Sequence, residues 1–494
     1  MMAFFEIAYG AVLLALFVFG ANGYLLLFWR RRYRPPTAPP MDAGRPWPDV
    51  LVQIPVYDER DVAVRVVEAA ARLRYPGKVA IQVLDDSDDD TSILVAQAVD
   101  ALRRSGREAS HVRRASREGF KAGALAAGLR LARAEVLAIL DADFVPAPDL
   151  LERTVPLLEG ARVACVQARW GHLNRSESAL TRGQALGIDI HFAVEQRARA
   201  AAGLPVSFNG SAGVWRRSAI EDAGGWSDDT LTEDLDLSYR TWLRGWRMVY
   251  ADDVVCPAEI PEVLASFKAQ QRRWARGSTE VACKLLGPIW RARVPLVAKV
   301  EATLHLTHYF VHPLLLLSAA MALPLGLISR PGPSLWTVLP PLAMATGGPL
   351  AMALAACRGM TIRARLRDAA TMTVLGLGLM LSNTTAVLRG LAGRRGEFVR
   401  TPKGGSSSSY GPRADSLGAA ELLASAACGG LAAWLLVRGM PALAPFLVLY
   451  AAGLGTIGWG GLRGTLSQRP RESVSSALES AERFSREAPV STEP

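Results

Sequence analysis

Long apolar runs stand at both ends of this 494-residue chain and are missing from its middle, which forces a membrane part and a globular part. Residues 4–28 are long enough to cross a bilayer, and Arg30-Arg31-Arg32-Tyr33-Arg34 follows with nothing basic in front. A cleaved leader carries its positive charge ahead of its apolar run, so residues 1–34 read as an anchor with an outward N-terminus. Pro35-Pro36 and Pro39-Pro40 make 35–48 a stiff linker. Beyond residue 300 the apolar runs return. Residues 300–328 and 335–356 read as one membrane hairpin (300–357), and 417–437 with 442–462 as another (417–462). Residues 371–388 are just as apolar, yet Arg358, Arg363, Arg365 and Arg367 precede them and Arg389, Arg394, Arg395, Arg400 and Lys403 follow. Positive charge on both sides predicts that 358–390 lies in the interface or re-enters without crossing. Residues 391–416 then form a cytosolic loop, and the polar stretch 463–494 a disordered tail.

The net charge of +10 comes largely from Arg clusters flanking those apolar runs. No basic stripe with interleaved aromatics appears in the middle of the chain, so nucleic acid is not an expected partner. Cys165, Cys256, Cys283, Cys357 and Cys428 are scattered and contain no CxxC pair, which excludes a disulfide framework or zinc finger and fits reducing cytosol.

From residue 49 short apolar strands alternate with helical stretches, the pattern of an α/β sheet. Strands are expected at 50–56, 79–84, 111–113, 136–140 and 163–167, and helices at 61–73, 93–104, 121–132 and 149–158. Neither a GxGxxG fingerprint nor a P-loop is present in this stretch, so a nucleotide has to be held at strand ends, in the crevice along the carboxyl edge. Two strand ends carry acids. Asp85-Asp86-Ser87-Asp88-Asp89-Asp90 also suits an Asx-rich turn capping the next helix. In Asp141-Ala142-Asp143 the two carboxylates, two apart on extended backbone, point the same way and suit one hard cation, Mg2+ or Mn2+. Lys121 opens a helix after Gly119 and is placed to meet a phosphate or simply to be solvated. Phe208-Asn209-Gly210-Ser211-Ala212-Gly213-Val214-Trp215 is small and flexible enough for close approach of a sugar, or for a hairpin.

Between Leu231 and Trp274 a helix begins with Thr232-Glu233-Asp234, where the dipole favours ionised carboxylates. A second helix puts Gln270 and Trp274 on one face with Arg273 beside them. A base, a cationic fork and an aromatic plate just upstream of a membrane segment suit sugar transfer from a nucleotide diphosphate to an acceptor that leaves through the membrane. His305, His308 and His312 share one face of the following span; metal binding, a polar path and interhelix hydrogen bonds all fit that spacing.

In order, the acid pair, Phe120-Lys121-Ala122-Gly123-Ala124-Leu125, DxD, Ala212-Gly213-Val214-Trp215-Arg216, Asp222-Ala223-Gly224-Gly225-Trp226, Thr232-Glu233-Asp234, Gln270–Trp274 and Phe398-Val399-Arg400-Thr401-Pro402-Lys403-Gly404 resemble a processive family 2 glycosyltransferase of the cellulose synthase superfamily, nearest its cellulose-synthase-like mannan and glucan branch. The resemblance covers residues 50–404. It implies a Rossmann-like α/β GT-A domain at 49–258 and amphipathic interface helices at 259–299. It further implies that Pro55, Tyr57, Glu59, Asp85, Asp86, Lys121, Asp141 and Arg273 bind the donor, helped by Phe398, Thr401 and Lys403 of a gating loop. Gln270, Trp274, Gly210, Ser211 and Glu233 would face the acceptor, Asp234 would be the general base of an inverting reaction, and Asp141 and Asp143 would hold the metal.

The expected product is a β-linked polysaccharide, with UDP-glucose preferred as donor over GDP-mannose. Growing polymer and bilayer are the other expected partners. A non-processive enzyme that glycosylates a lipid is the alternative, and a transporter with a regulatory domain is a rival from another class. Ala/Arg-rich wording suggests a bacterial inner membrane.

Overall fold

A computed structural model describes residues 2–37, 46–160, 162–328, 335–357, 359–393, 417–441 and 443–463. Phe398, Thr401, Lys403 and the tail from 464 lie outside the described residues, so the gating-loop expectation meets no coordinates.

A seven-stranded sheet organises the globular part: β1 (Val50–Val56), β2 (Val79–Asp85), β3 (Glu108–Arg113), β4 (Val136–Ile139), β5 (Val163–His172), β6 (Gly213–Arg216) and β7 (Arg247–Ala258). The order is β3-β2-β1-β4-β6-β5-β7. β1 is parallel to β2 and β4, whereas β6 runs antiparallel to β4 and β5. All seven residues of β1 are buried because helices cover both faces of the sheet, which is why the strand reads as an unbroken apolar run. Val66, Val67, Val95 and Leu151 pack on one face. Leu125, Ile220 and Leu237 pack on the other. Each such side chain withdrawn from water contributes about 1.5–3 kcal/mol. Side chains past the strand ends escape this packing and face a crevice where the order reverses at β1 and β4.

Two strands escape the sequence pattern. β6 has four residues and starts at Gly213, so the stretch expected to meet a sugar or form a hairpin is in part a central strand. β7 is interrupted by Asp252-Asp253, where its register with β5 shifts between Ala168 and Arg169. The six residues His191–Gln196 form a π-helical turn, a feature frequent at functional sites.

Four described helices are long and apolar enough to cross a membrane: Phe4–Arg30, His308–Leu327, Gly418–Val437 and Ala444–Arg463. The single span expected at 300–328 is corrected. Helix Leu296–Leu306 ends, a short turn His308–Phe310 intervenes, and Val311–Ile328 follows. There the ring of His308 bonds the carbonyl of His305 at 2.7 Å, serving a backbone group at the break. The apolar stretch near 371–388 is also broken: Ile362–Gly378 and Met380–Leu391 meet at 51°. Gly378 sits against the last helix so closely that a Cβ would lie 2.4 Å from the Gly453 carbonyl oxygen. Only glycine fits there.

Candidate active site

Helix Glu233–Leu243 and the long helix Leu264–Arg291 build the site by clamping one another. Gly277 permits the approach, since a Cβ there would fall 2.5 Å from the Thr232 methyl. Glu280 accepts from the Leu231 amide at 2.9 Å, and Lys284 pairs with Asp236 at 2.7 Å. These ties bring the start of the acidic helix beside Gln270, Arg273 and Trp274. One open cleft collects Pro55, Tyr57, Glu59, Asp86, Lys121, Asp141, Asp143, Gly210, Glu233, Asp234, Gln270, Arg273 and Trp274. They come from the carboxyl ends of β1, β2 and β4, from both clamped helices, from the start of helix Phe120–Leu131 (Lys121) and from the segment before β6 (Gly210).

Lys121 is the hub. Its Nζ lies 2.6 Å from Asp141 Oδ1, 2.9 Å from the Gly210 carbonyl oxygen and 3.6 Å from Glu233 Oε1. Burial alone would lower its pKa, but the charges of Asp141 and Glu233 outweigh that and raise it. Gly210, at φ 84°, presses against Asp234: a Cβ would stand 3.0 Å from its Oδ2 and 3.3 Å from Lys121 Nζ. Any side chain there would invade the space between base and cation.

The Asp234 carboxylate accepts a hydrogen bond at Oδ1 from the Leu235 amide, at 2.8 Å. Desolvation first, then the adjacent Glu233 charge, push its pKa up from 3.8 to about 7, against the pull of Lys121. Arg273 is lowered by burial and held back by the surrounding acids. A carboxylate that takes up a proton near neutrality thus faces two cations across an open space.

Two expected residues stand behind the cleft instead of lining it. Asp85 is corrected from donor contact to structural support: it accepts from Ser92 Oγ at 2.5 Å and the Ser87 amide at 2.8 Å, and meets His111 Nε2 at 2.8 Å. Its neighbour Asp86 points the other way, into the cleft, gripped by both Nε and Nη2 of Arg114. Ser211 is buried and uses its hydroxyl to accept from the Asp141 amide at 2.9 Å, so it positions the DxD backbone.

Asp141 and Asp143 both face the cleft, and no group of three His, Cys, Asp or Glu suited to a metal occurs among the described residues. Two carboxylates fit a hard divalent cation that completes its shell with phosphate oxygens and water. They do not fit a closed protein cage. The three histidines disperse to different partners: His305 meets Tyr239 at 2.8 Å and His312 meets Asn383 at 3.0 Å, both across helices.

Trp170, His172 and Arg117 also line the cleft and were not foreseen, and Asn209, from the stretch expected to meet a sugar, joins them. Trp170 and His172 are two apart on β5, so extending that strand by five residues would have put them on one face. Asn209 is held by Gln196 and His191 of the π-helical turn, at 2.9 Å each. Nothing in the sequence separates Arg117 from other surface arginines.

A family model described as "Glycosyltransferase like family 2" matches residues 48–277. Over 264 residues, 52% of this chain, it is 43% identical to a probable glucomannan 4-beta-mannosyltransferase 7 of Oryza sativa subsp. japonica, covering 45% of that protein. Over 252 residues, 50% of this chain, it is 40% identical to the glucomannan 4-beta-mannosyltransferase 7 of Arabidopsis thaliana, covering 45% of it. The chain thus spans about half the length of the curated relatives it matches. A solved mannosyltransferase from Pyrobaculum calidifontis, in complex with GDP-Man and Mn2+, superposes with TM-score 0.54 over 78% of this chain and 100% of that one. At 23% identity that likeness speaks for the fold alone.

Proposed function

We propose that residues 48–277 form a family 2 glycosyltransferase domain of the cellulose-synthase-like kind, and that the chain is an inverting, processive membrane enzyme that polymerises a β-linked polysaccharide, a mannan first of all. The observation that carries the reading is the meeting of Asp234, Lys121, Arg273 and Trp274 in one cleft with the DxD pair. Asp234 takes the proton of the acceptor hydroxyl as that oxygen bonds to the anomeric carbon. The bond from that carbon to the phosphate oxygen breaks on the opposite face, and the nucleoside diphosphate leaves with the electron pair. A single in-line displacement turns an α-linked donor into a β-linked product. Lys121 and Arg273 hold the diphosphate and receive its growing charge. Trp274 and Gln270 hold the terminal sugar of the acceptor, with Glu233 and Gly210 beside it. Asp141 and Asp143 would hold Mg2+ or Mn2+, which supplies charge neutralisation at the leaving group.

The donor is a nucleotide-diphosphate sugar, and GDP-mannose is the better assignment. The relatives are named mannosyltransferases, which favours mannose over the glucose expected from sequence. Four apolar helices support an integral membrane protein, and the basic residues around the bent pair favour placing it in the interface, with the cleft in the cytosol. The relatives come from plants and lend no support to a bacterial inner membrane.

Purified protein in lipid, given radiolabelled GDP-mannose or UDP-glucose, tests the reading. The expected product is long polymer from GDP-mannose that β-mannanase degrades. Label found only as one sugar on a lipid would move the assignment to the non-processive alternative.

A further inference from the structure

Where the cleft is bordered by Pro55, Tyr57 and Asp86, the guanidinium of Arg117 lies flat on the Tyr57 ring, 3.4 Å from its centroid, with the Phe120 ring at 5.0 Å. The turn that carries it is tightly built. Arg114 holds both oxygens of Asp86 and also donates to the carbonyls of Glu118 at 2.7 Å and Phe120 at 3.1 Å. Gly119 and Phe120 sit at φ 71° and 49°. A positive φ at phenylalanine is strained and persists where the surroundings over-determine it, as at ligand clamps. The Arg114 guanidinium is therefore fully occupied, whereas among the described residues no ion pair or hydrogen bond engages the guanidinium of Arg117, whose backbone carbonyl accepts from the Phe120 amide at 3.0 Å. Its five N–H donors border an open cleft beside the Tyr57 and Phe120 rings.

A cation so placed fits either a phosphate or the edge of a base. The phosphate side is already served by Lys121 and Arg273, next to Asp141 and Glu233. Arg117 stands instead with Tyr57, the flat surface on which a base can stack. We propose that Arg117 selects guanine as the donor's base, by donating two N–H bonds to its O6 and N7. Uracil has no such adjacent acceptor pair. The base takes the ring face that Arg117 covers, and the guanidinium moves to the edge of the base. This assignment rests on the reading that the cleft binds a nucleotide-diphosphate sugar, and it identifies the nucleotide.

Isothermal titration of the full chain in detergent with GDP, UDP and 7-deaza-GDP, which lacks the N7 acceptor, provides the test. The wild type should prefer GDP to UDP and bind 7-deaza-GDP about tenfold more weakly than GDP. Arg117→Lys keeps the charge but loses the fork, and should weaken GDP about tenfold while leaving 7-deaza-GDP and UDP within about twofold. Persisting UDP binding shows that the variant is folded. If Arg117→Lys weakens all three ligands equally, the residue contacts phosphate and the proposal is overturned. No effect on GDP, or a wild-type preference for UDP, overturns it as well. A wild type that binds none of the three removes the nucleotide reading together with this one.

Discussion

Asp234 and Glu195 are both enclosed carboxylates within one domain, yet their proton affinities move in opposite directions. Burial works against the ionised form of each. At Glu195, His191 at 3.1 Å and Arg199 at 3.2 Å outweigh it, and the pKa falls well below the usual carboxylate range. At Asp234 the neighbouring Glu233 adds to the desolvation, and the pKa climbs to about 7. The difference lies in partners, not depth. Charge satisfied inside the protein holds the fold together, and charge left in debt to a cleft is available for chemistry.

The largest expected effect comes from neutralising each acid in turn. Asp234→Asn should cut polymer formation about 10³-fold with nucleotide binding intact, the scale of a lost general base. Glu195→Gln should act on stability, lowering Tm as His191 and Arg199 lose their anion, with the pH dependence of catalysis unmoved. Equal kinetic loss in both variants would erase the contrast.

Lys268 and Glu421 extend the satisfied class to the membrane seam: they meet at 2.6 Å, both fully buried, between helix Leu264–Arg291 and helix Gly418–Val437. Lys268→Met alone should destabilise by about 3–5 kcal/mol, and Lys268→Met with Glu421→Leu should recover most of it, as read by thermal unfolding in detergent. A full loss in the double variant would mean that the pair does more than balance charge.

The smallest effect is a shift in pH. The base form of Asp234 is lost as pH falls through its raised pKa, so activity should decline below about 7. Glu233→Gln removes the like charge that helps raise it and should move that acid limb down by about one unit, whatever happens to the maximal rate. An unmoved limb would detach the profile from Asp234.

Much of this was legible in the chain because β1 and β4 are doubly covered: a continuous apolar run ending in acids announces both a central strand and the mouth of a crevice. The roles of Asp85 and Asp86 were not separable, since alternation says that neighbours face opposite ways but not which way is inward. β6 is too short, and β7 too interrupted by Asp252-Asp253, to register as strands. The break after Leu306 falls inside an apolar run, where hydropathy sees only length. Arg117 gains its meaning from Tyr57, sixty residues away in sequence and 3.4 Å away in space.

Infrared difference titration of wild type against Asp234→Asn reaches the central claim most directly, because it watches this one carboxyl group. A protonated-carboxyl band should grow as pH is lowered through about 7 and be absent from the variant. A group that stays ionised down to about pH 4, like an ordinary aspartate, would contradict the account.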